Sequence, residues 1–266
     1  MKKIWFICVL FFMAIAVVFF VNKRCFDLEN LHCKIDIVNG QSDLLGFQNP
    51  VGLNCHQDLP GLEDPAGHDQ QSQYQKLVRI QDVDSSILVD LKYATTDNFT
   101  GMVLYDVLDN AYLQPDVARM LANAHLYLKS IHPGLRLLVY DAVRPLSIQR
   151  TMWERVKDTP YHRYVAHPDR LSLHNFGAAA DLTIADSLGR PLDMGTPFDH
   201  FGRAAGISDE EGLIMQGVLT LQQVQNRQLL RRVMHHAGFR SISGEWWHFN
   251  ACSLPEAKQR YELIEN

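Results

Sequence analysis

The chain has 266 residues, 47% of them hydrophobic and 21% charged, with a formal net charge of −5 at pH 7. That is enough apolar material for a full core, and it fits one catalytic domain with an appendage. Acidic residues slightly outnumber basic ones, 30 against 25, which excludes the basic surplus of a nucleic-acid binder.

Met1, Lys2 and Lys3 precede an apolar run over residues 4–21 without charge or proline. At about 1.5 Å per residue this run spans roughly 27 Å, close to the ~30 Å hydrocarbon core of a bilayer. It exceeds the ~7–15 residues of a signal h-region, and no A-x-A site follows it. Residues 1–21 therefore read as a signal-anchor, with a cleaved signal peptide as the other reading. Lys2 and Lys3 on one side and Lys23 and Arg24 on the other leave its orientation open. The expected location is exported: periplasmic and anchored to the inner membrane, which makes that membrane a partner.

Residues 22–75 change character. Asn39-Gly40, Asn49-Pro50 and Asp64-Pro65 are turn signals, and a Gln/Ser-rich patch follows. The segment reads as a partly ordered linker, leaving residues 76–266 as the catalytic domain. Cys8 lies in the apolar run. Cys25, Cys33, Cys55 and Cys252 are an even set for an oxidising compartment, with no C-x-x-C spacing for structural zinc. A Cys33–Cys55 bridge with Cys252 free is one arrangement they admit.

Within the domain, Ile87, Val89, Leu91 and Tyr93 alternate as in a strand. Pro115 opens a helix with Val117, Met120, Leu121, Ala124 and Leu128 on one face, stopped by His132-Pro133-Gly134. Residues 135–140 form an apolar core strand ending at Asp141. Pro145 suits the first turn of a helix with Ile148, Met152 and Val156 inside. A strand over 180–184 carries Asp181. A long helix over 219–236 ends at Gly238, a strand over 247–249 follows, and a terminal helix covers 254–264. Helices and strands mix without β-α-β alternation. This predicts α+β architecture, a small and mainly antiparallel sheet flanked by helices.

Two motifs carry chemistry. The first is Ser172-Leu173-His174-Asn175-Phe176-Gly177-Ala178-Ala179-Ala180-Asp181, and the second is Glu245-Trp246-Trp247-His248. Gly177 permits a tight turn, so His174 and Asp181 can point at one centre, and the alanines leave the approach uncrowded. His248 would complete three ligands for a catalytic Zn²⁺, and Glu245 would take a proton from water. Two neutral imidazoles and one carboxylate leave the site at net +1, which lowers the pKa of bound water. Gly244 would let the chain bend so that Glu245 reaches the centre. The flanking indoles would exclude water and raise the pKa of its carboxylate. Taken singly, each residue has a plainer explanation: a capping histidine, an aspartate flanking a strand, a glutamate at the solvent end of a Trp-rich strand. Asp141 and Arg144, at a strand-to-helix junction, could form a local salt bridge, or Arg144 could steady an oxyanion.

The pattern S-x-H-x-x-G-x-A-x-D followed by E-x-W-H resembles the zinc D,D-peptidases of peptidoglycan metabolism. Within that group the chain is similar to the D-alanyl-D-alanine dipeptidases of the vancomycin-resistance type. The supporting segments are Tyr93 to Gly101, Tyr140 to Pro145 and Met194 to Asp199. The resemblance covers roughly residues 77–266. It implies that His174, Asp181 and His248 bind one Zn²⁺ and that Glu245 is the catalytic base. It also implies that Arg144 contacts the substrate and stabilises the oxyanion, while Asp199 and the Ser172 hydroxyl hold the free ammonium of a small D,D-dipeptide. Val143 stands where these enzymes usually carry an aromatic residue, which bears on substrate preference. The implied function is zinc-dependent hydrolysis of D-Ala-D-Ala to two D-alanines in peptidoglycan turnover. The alternatives are a D,D-carboxypeptidase acting on longer stem peptides and a non-catalytic wall-binding module.

Overall fold

The structure is a computed structural model, and it describes residues 74–106, 108 and 110–266. The apolar run, nearly all of the linker and every cysteine but one lie outside the described residues. Among the described residues Cys252 is a buried free thiol, and no helix is long and apolar enough to cross a membrane.

In chain order the elements are β1 (Val78–Arg79), α1 (Ile80–Val83), β2 (Leu88–Val89), β3 (Tyr112–Leu113), α2 (Pro115–Ile131) and β4 (Arg136–Asp141). They continue with α3 (Leu146–Val156), β5 (Ala179–Ala185), α4 (Glu210–Met215), α5 (Leu221–His236), β6 (Arg240–Ser241), β7 (His248–Asn250) and α6 (Leu254–Arg260). β1 and β3 pair on their own, while the main sheet runs β2-β4-β5-β7-β6. Only the β2–β4 pair of that sheet is parallel. This is the mixed α+β architecture expected.

The helix α2 forms where its apolar spacing predicts. Val117, Leu121, Ala124 and Leu128 are fully buried, Pro115 occupies the first turn, and the chain leaves the helix at His132. Each buried leucine contributes about 1.5–3 kcal/mol of transfer free energy. A capping box begins α5: Thr220 Oγ1 accepts from the Gln223 amide at 3.2 Å, and Gln223 Oε1 accepts from the Thr220 amide at 2.8 Å. This cap makes the helix start at Leu221 rather than at 219. α2 packs against α5, and both pack against the sheet. β5 is buried along all seven residues, as befits a central strand covered on both faces.

Four local expectations shift. The alternation from Ile87 to Tyr93 yields only a two-residue strand, followed by a 3₁₀ turn at Lys92–Ala94. The Asp90 amide makes the last bond to β4, at Val139 O. The chain then leaves the sheet and buries Tyr93 beneath the cleft. In α3, Pro145 precedes the helix as its cap, and Gln149 is buried where Ile148 is only half-buried. The last strand is displaced by one residue, with Trp247 just outside it. The terminal helix stops at Arg260 because the tail is used differently. The Ile264 amide bonds Asn175 O, and Ile264 O accepts from the Leu146 amide, so the tail clamps two segments beside the site.

One irregularity positions the site. Between Val139 and Asp141 strand β4 carries an extra residue against β5, a β-bulge at Tyr140. A bulge shifts every later side chain of its strand relative to the partner. Here it sets Asp141 opposite Asp181, and Asp181 is in turn opposite His248 on β7. Three polar residues thus form one row across three neighbouring strands.

Candidate active site

His174 is delivered by a single 3₁₀ turn, Leu173–Phe176. Ser172 caps it: its Oγ accepts from the His174 amide at 3.3 Å, and its own amide donates to Asn175 Oδ1 at 2.7 Å. Gly177 closes the turn at φ +61°, where a Cβ would lie 3.1 Å from Leu77 Cδ2 and 3.3 Å from the Gln114 nitrogen. Glycine is therefore required both for its conformation and for space. The turn is docked to the strand-to-helix junction by Arg144 N bonding His174 O and by Asn175 Nδ2 bonding Arg144 O. The following alanines serve packing: Ala178 and Ala179 are fully buried in a small cluster with Cys252 and Ala257 of α6.

Ligand atoms of His174, Asp181 and His248 all lie within 4.8 Å of one another. His174 Nε2 is 3.1 Å from His248 Nδ1 and 3.3 Å from Asp181 Oδ1, and His248 Nδ1 is 2.9 Å from Asp181 Oδ1. A tetrahedral ion with bonds of about 2.0–2.1 Å has ligand–ligand edges of about 3.3 Å. This triangle is close to one face of such a tetrahedron. The outward nitrogens are also engaged: His174 Nδ1 is 2.6 Å from Ala142 O, and His248 Nε2 is 2.8 Å from Asn250 Oδ1. Those acceptors place a proton on the outer nitrogen of each ring and leave a lone pair facing inward, as metal-ligating histidines require. The donor set, two imidazoles and a carboxylate with their outer contacts satisfied, fits a divalent zinc site.

Charge is concentrated here. Burial alone would raise the carboxyl of Asp181, but the charge and hydrogen bond of His174, followed by those of His248, hold it far below the usual range. Burial disfavours a charged His248, yet the Asp181 hydrogen bond and charge, with Glu245, keep it above its ordinary value.

All seven residues singled out in the sequence, Arg144, Ser172, His174, Asp181, Asp199, Glu245 and His248, line one cleft of about 370 Å³. Glu245 is half-buried, and burial pushes its carboxyl up to about 7. Asp181 adds to the rise, while His248 and Arg144 oppose it. Trp247 lines the same wall, and Trp246 crosses it edge-on at 5.3 Å. Gly244 has open space around its Cα and no left-handed φ, so the bend before Glu245 does not depend on glycine. Arg144 is held rather than free. Asp141 Oδ2 accepts from its Nε at 2.9 Å and its Nη2 at 2.6 Å, Gln149 Oε1 accepts from Nη1 at 3.1 Å, and Asp181 Oδ2 is 3.2 Å from Nη2. Arg144 therefore makes the local salt bridge and also lines the cleft.

Asp199 sits at φ +59°, an unusual conformation for a residue other than glycine. Both its carboxyl oxygens accept from the Tyr93 hydroxyl at 3.0 Å. Burial, then the charge of Asp181, raises it to about 8. Ser172 lines the cleft; its Oγ accepts from the His174 amide in the cap and keeps a second lone pair with which to accept from a donor. Val143 is buried in the main core rather than in the cleft wall, with its amide bonded to Tyr112 O. The residue out of pattern is not among those that line the cleft.

Sequence reasoning missed Tyr93, Asn250, Gln149 and Tyr105. Asn250 carried a usable signal, since a residue two after a strand histidine shares its face. Tyr93 falls in an apolar alternation that reads as a strand, and nothing local marks Gln149 or Tyr105. The Tyr105 hydroxyl donates to Asp141 Oδ1 at 2.5 Å.

A mixed α+β domain with a candidate three-ligand metal centre and a neighbouring carboxylate in one cleft fits a metal-dependent hydrolase. Comparison with known proteins narrows the class. Residues 73–265 match the model of the D-ala-D-ala dipeptidase family, peptidase M15. Over 193 residues the chain is 34% identical to a D-alanyl-D-alanine dipeptidase of Escherichia coli strain K12, covering 71% of this chain and 89% of that protein. A D-alanyl-D-alanine dipeptidase of Synechocystis sp. PCC 6803 is 31% identical over 169 residues, 52% of this chain and 68% of that one. Another, from Enterococcus faecalis V583, is 29% identical over 188 residues, 62% of this chain and 86% of that one. The chain belongs to the D-ala-D-ala dipeptidase family.

Proposed function

We propose that this protein hydrolyses the free dipeptide D-Ala-D-Ala to two D-alanines in peptidoglycan turnover, with one Zn²⁺ held by His174, Asp181 and His248. The observation that carries the reading is the triangle of inward-facing ligand atoms, its outer nitrogens already bonded, in one cleft with Glu245, Arg144 and Asp199. The ion, when bound, supplies Lewis acidity for the scissile carbonyl and lowers the pKa of water towards neutrality.

The chain's own groups do the rest. Glu245 takes a proton from the attacking water as the new C–O bond forms, and returns it to the leaving D-alanine nitrogen as the C–N bond breaks. A carboxyl lifted towards neutrality by burial is suited to both transfers, and a nearby dication keeps it ionised in the resting state. Arg144, immobilised by Asp141 and Gln149, presents positive charge where the carbonyl oxygen becomes negative, with no reorganisation at that moment. Asp199 receives the substrate ammonium, aided by the Ser172 hydroxyl. This pairing favours a free dipeptide over a stem peptide whose amine is capped as an amide.

The test is direct: metal content per chain measured together with turnover of D-Ala-D-Ala and of a pentapeptide precursor. One zinc and preferential cleavage of the dipeptide support the reading. Preferential trimming of the pentapeptide makes the protein a D,D-carboxypeptidase, and zinc-free, inactive protein makes it a binding module. The N-terminal sequence supports an exported, periplasmic domain tethered to the inner membrane, where the products would be recovered from the wall. Protection of the domain from external protease in spheroplasts would refute that location.

A further inference from the structure

Arg227 is fully buried on α5, far in sequence from either motif. Its Nε donates to Met194 O at 2.6 Å, and its Nη2 donates to Ala204 O at 2.9 Å. Nη1 lies 3.5 Å from Gly206 O. Those carbonyls stand at the two ends of residues 194–206, and Asp199 lies between them. The guanidinium also lies over the Trp246 ring at 5.9 Å, and Trp246 Nε1 donates to Thr196 Oγ1 at 2.8 Å within the same segment. On the same face of α5, Asn226 Nδ2 bonds Asp193 O and Gln223 Nε2 bonds Asp193 Oδ2.

We infer that Arg227 is a positioning residue for the substrate-amine site: it staples the two ends of the 194–206 loop and ties that loop to the strand approach carrying Glu245. The inference rests on the dipeptidase reading above. Its physical basis is the backbone of Asp199. A residue other than glycine at positive φ carries a backbone cost, smaller for aspartate than for most, that its surroundings must offset. A loop closed at both ends by one planar cation, with a tryptophan bonded to Thr196 three residues before Asp199, provides the constraint that does so. A lysine keeps the charge but is a single point donor, unable to reach carbonyls at both ends in the fixed fork geometry of arginine. Burial lowers Arg227 to about 10, so it remains a cation at neutral pH.

The test compares D-Ala-D-Ala with its des-amino analogue, propionyl-D-alanine, which keeps the scissile amide and lacks the ammonium. The ratio of the two kcat/KM values reports the Asp199 contact. Arg227→Lys should lower that ratio at least ~10-fold, since a misplacement near 1 Å costs up to ~10²-fold. The loss should appear in KM for the dipeptide. Asp199→Ala should lower the ratio further, and adding Arg227→Lys to it should change nothing more. A purely structural arginine would depress both substrates alike. An unchanged ratio in Arg227→Lys therefore overturns the inference. Should that variant fail to fold, Arg227→Gln, which needs no buried charge, replaces it. Hydrogen exchange of the unaltered protein is independent of activity: amides of 194–206 should be protected like those of α5, and fast exchange there also overturns the inference. Failure of the unaltered enzyme to cleave any D,D-dipeptide would instead refute the functional reading and leave the exchange result standing.

Discussion

Replacing Asp141 by asparagine tests the support beneath the site without opening a cavity. The carboxylate is fully buried and accepts on both oxygens, from the Tyr105 hydroxyl on Oδ1 and from two Arg144 nitrogens on Oδ2. An amide has one acceptor oxygen, so one of these donors must face an NH₂ group. If the oxygen stays with Tyr105, Arg144 loses a bidentate charged partner while 11% exposed, with Gln149 and Asp181 remaining. Breaking a buried ion pair by removing one partner costs about 3–5 kcal/mol. The surviving contacts place this case at the low end, about 3 kcal/mol. For a domain of this size a loss of 1 kcal/mol lowers Tm by roughly 2–4 °C, so Tm should fall roughly 6–12 °C by calorimetry. The released guanidinium should then lean on Asp181, already 3.2 Å away, and compete for a ligand oxygen. Zinc affinity, read by competition with a chromophoric chelator, should drop about 10–100-fold, the usual cost of losing an outer contact. A Tm within about 2 °C of the unaltered protein, with unchanged zinc affinity, would refute the reasoning.

Glu245→Gln should leave zinc content intact and lower kcat by about 10²–10⁴-fold, the range of a lost general base; near-normal turnover would end that assignment. Asp199, raised to about 8 by burial and the Asp181 charge, holds a proton in the free protein below that pH. Binding an ammonium there must release it, so KM for D-Ala-D-Ala should rise as pH falls through the limb set by Asp199. Bound zinc shifts that limb to lower pH. In Asp199→Asn the limb should vanish from the pH profile, and its persistence would assign it elsewhere. Gly177→Ala puts a β-carbon into a φ of +61° and contacts of 3.1 and 3.3 Å. The left-handed penalty alone is about 1–2 kcal/mol, so urea unfolding should register about 2 kcal/mol, and a loss below about 0.5 kcal/mol would refute the need for glycine.

Much of the site was written locally. The spacing of His174, Gly177 and Asp181 encodes a capped turn leading into a strand, and the structure forms it with Ser172 and Asn175 in a capping box. The helix α2 was legible because a 3.6-residue apolar period has few other uses. Tyr93 and the terminal helix depart from their local patterns for a common reason. Their apolar residues are buried as expected, but the backbone bonds that would have continued a strand or helix go to distant partners, Leu104 and Tyr105 in one case and Asn175 and Leu146 in the other. Arg227 could not be read at all, since a buried arginine in a polar helix looks like any exposed one until its carbonyl acceptors are known.

By itself the sequence determined which chemical groups exist and which local turns carry them: two imidazoles, their carboxylate, a candidate base and the glycine beside them. The tertiary structure decided their distances. A bulge of one residue at Tyr140 brings Asp141 level with Asp181, and the β5–β7 register brings Asp181 level with His248. A slip of one residue in either pairing would turn these side chains to the opposite face. Register is fixed by hydrogen bonds between strands far apart in the chain, so no local pattern could have specified it.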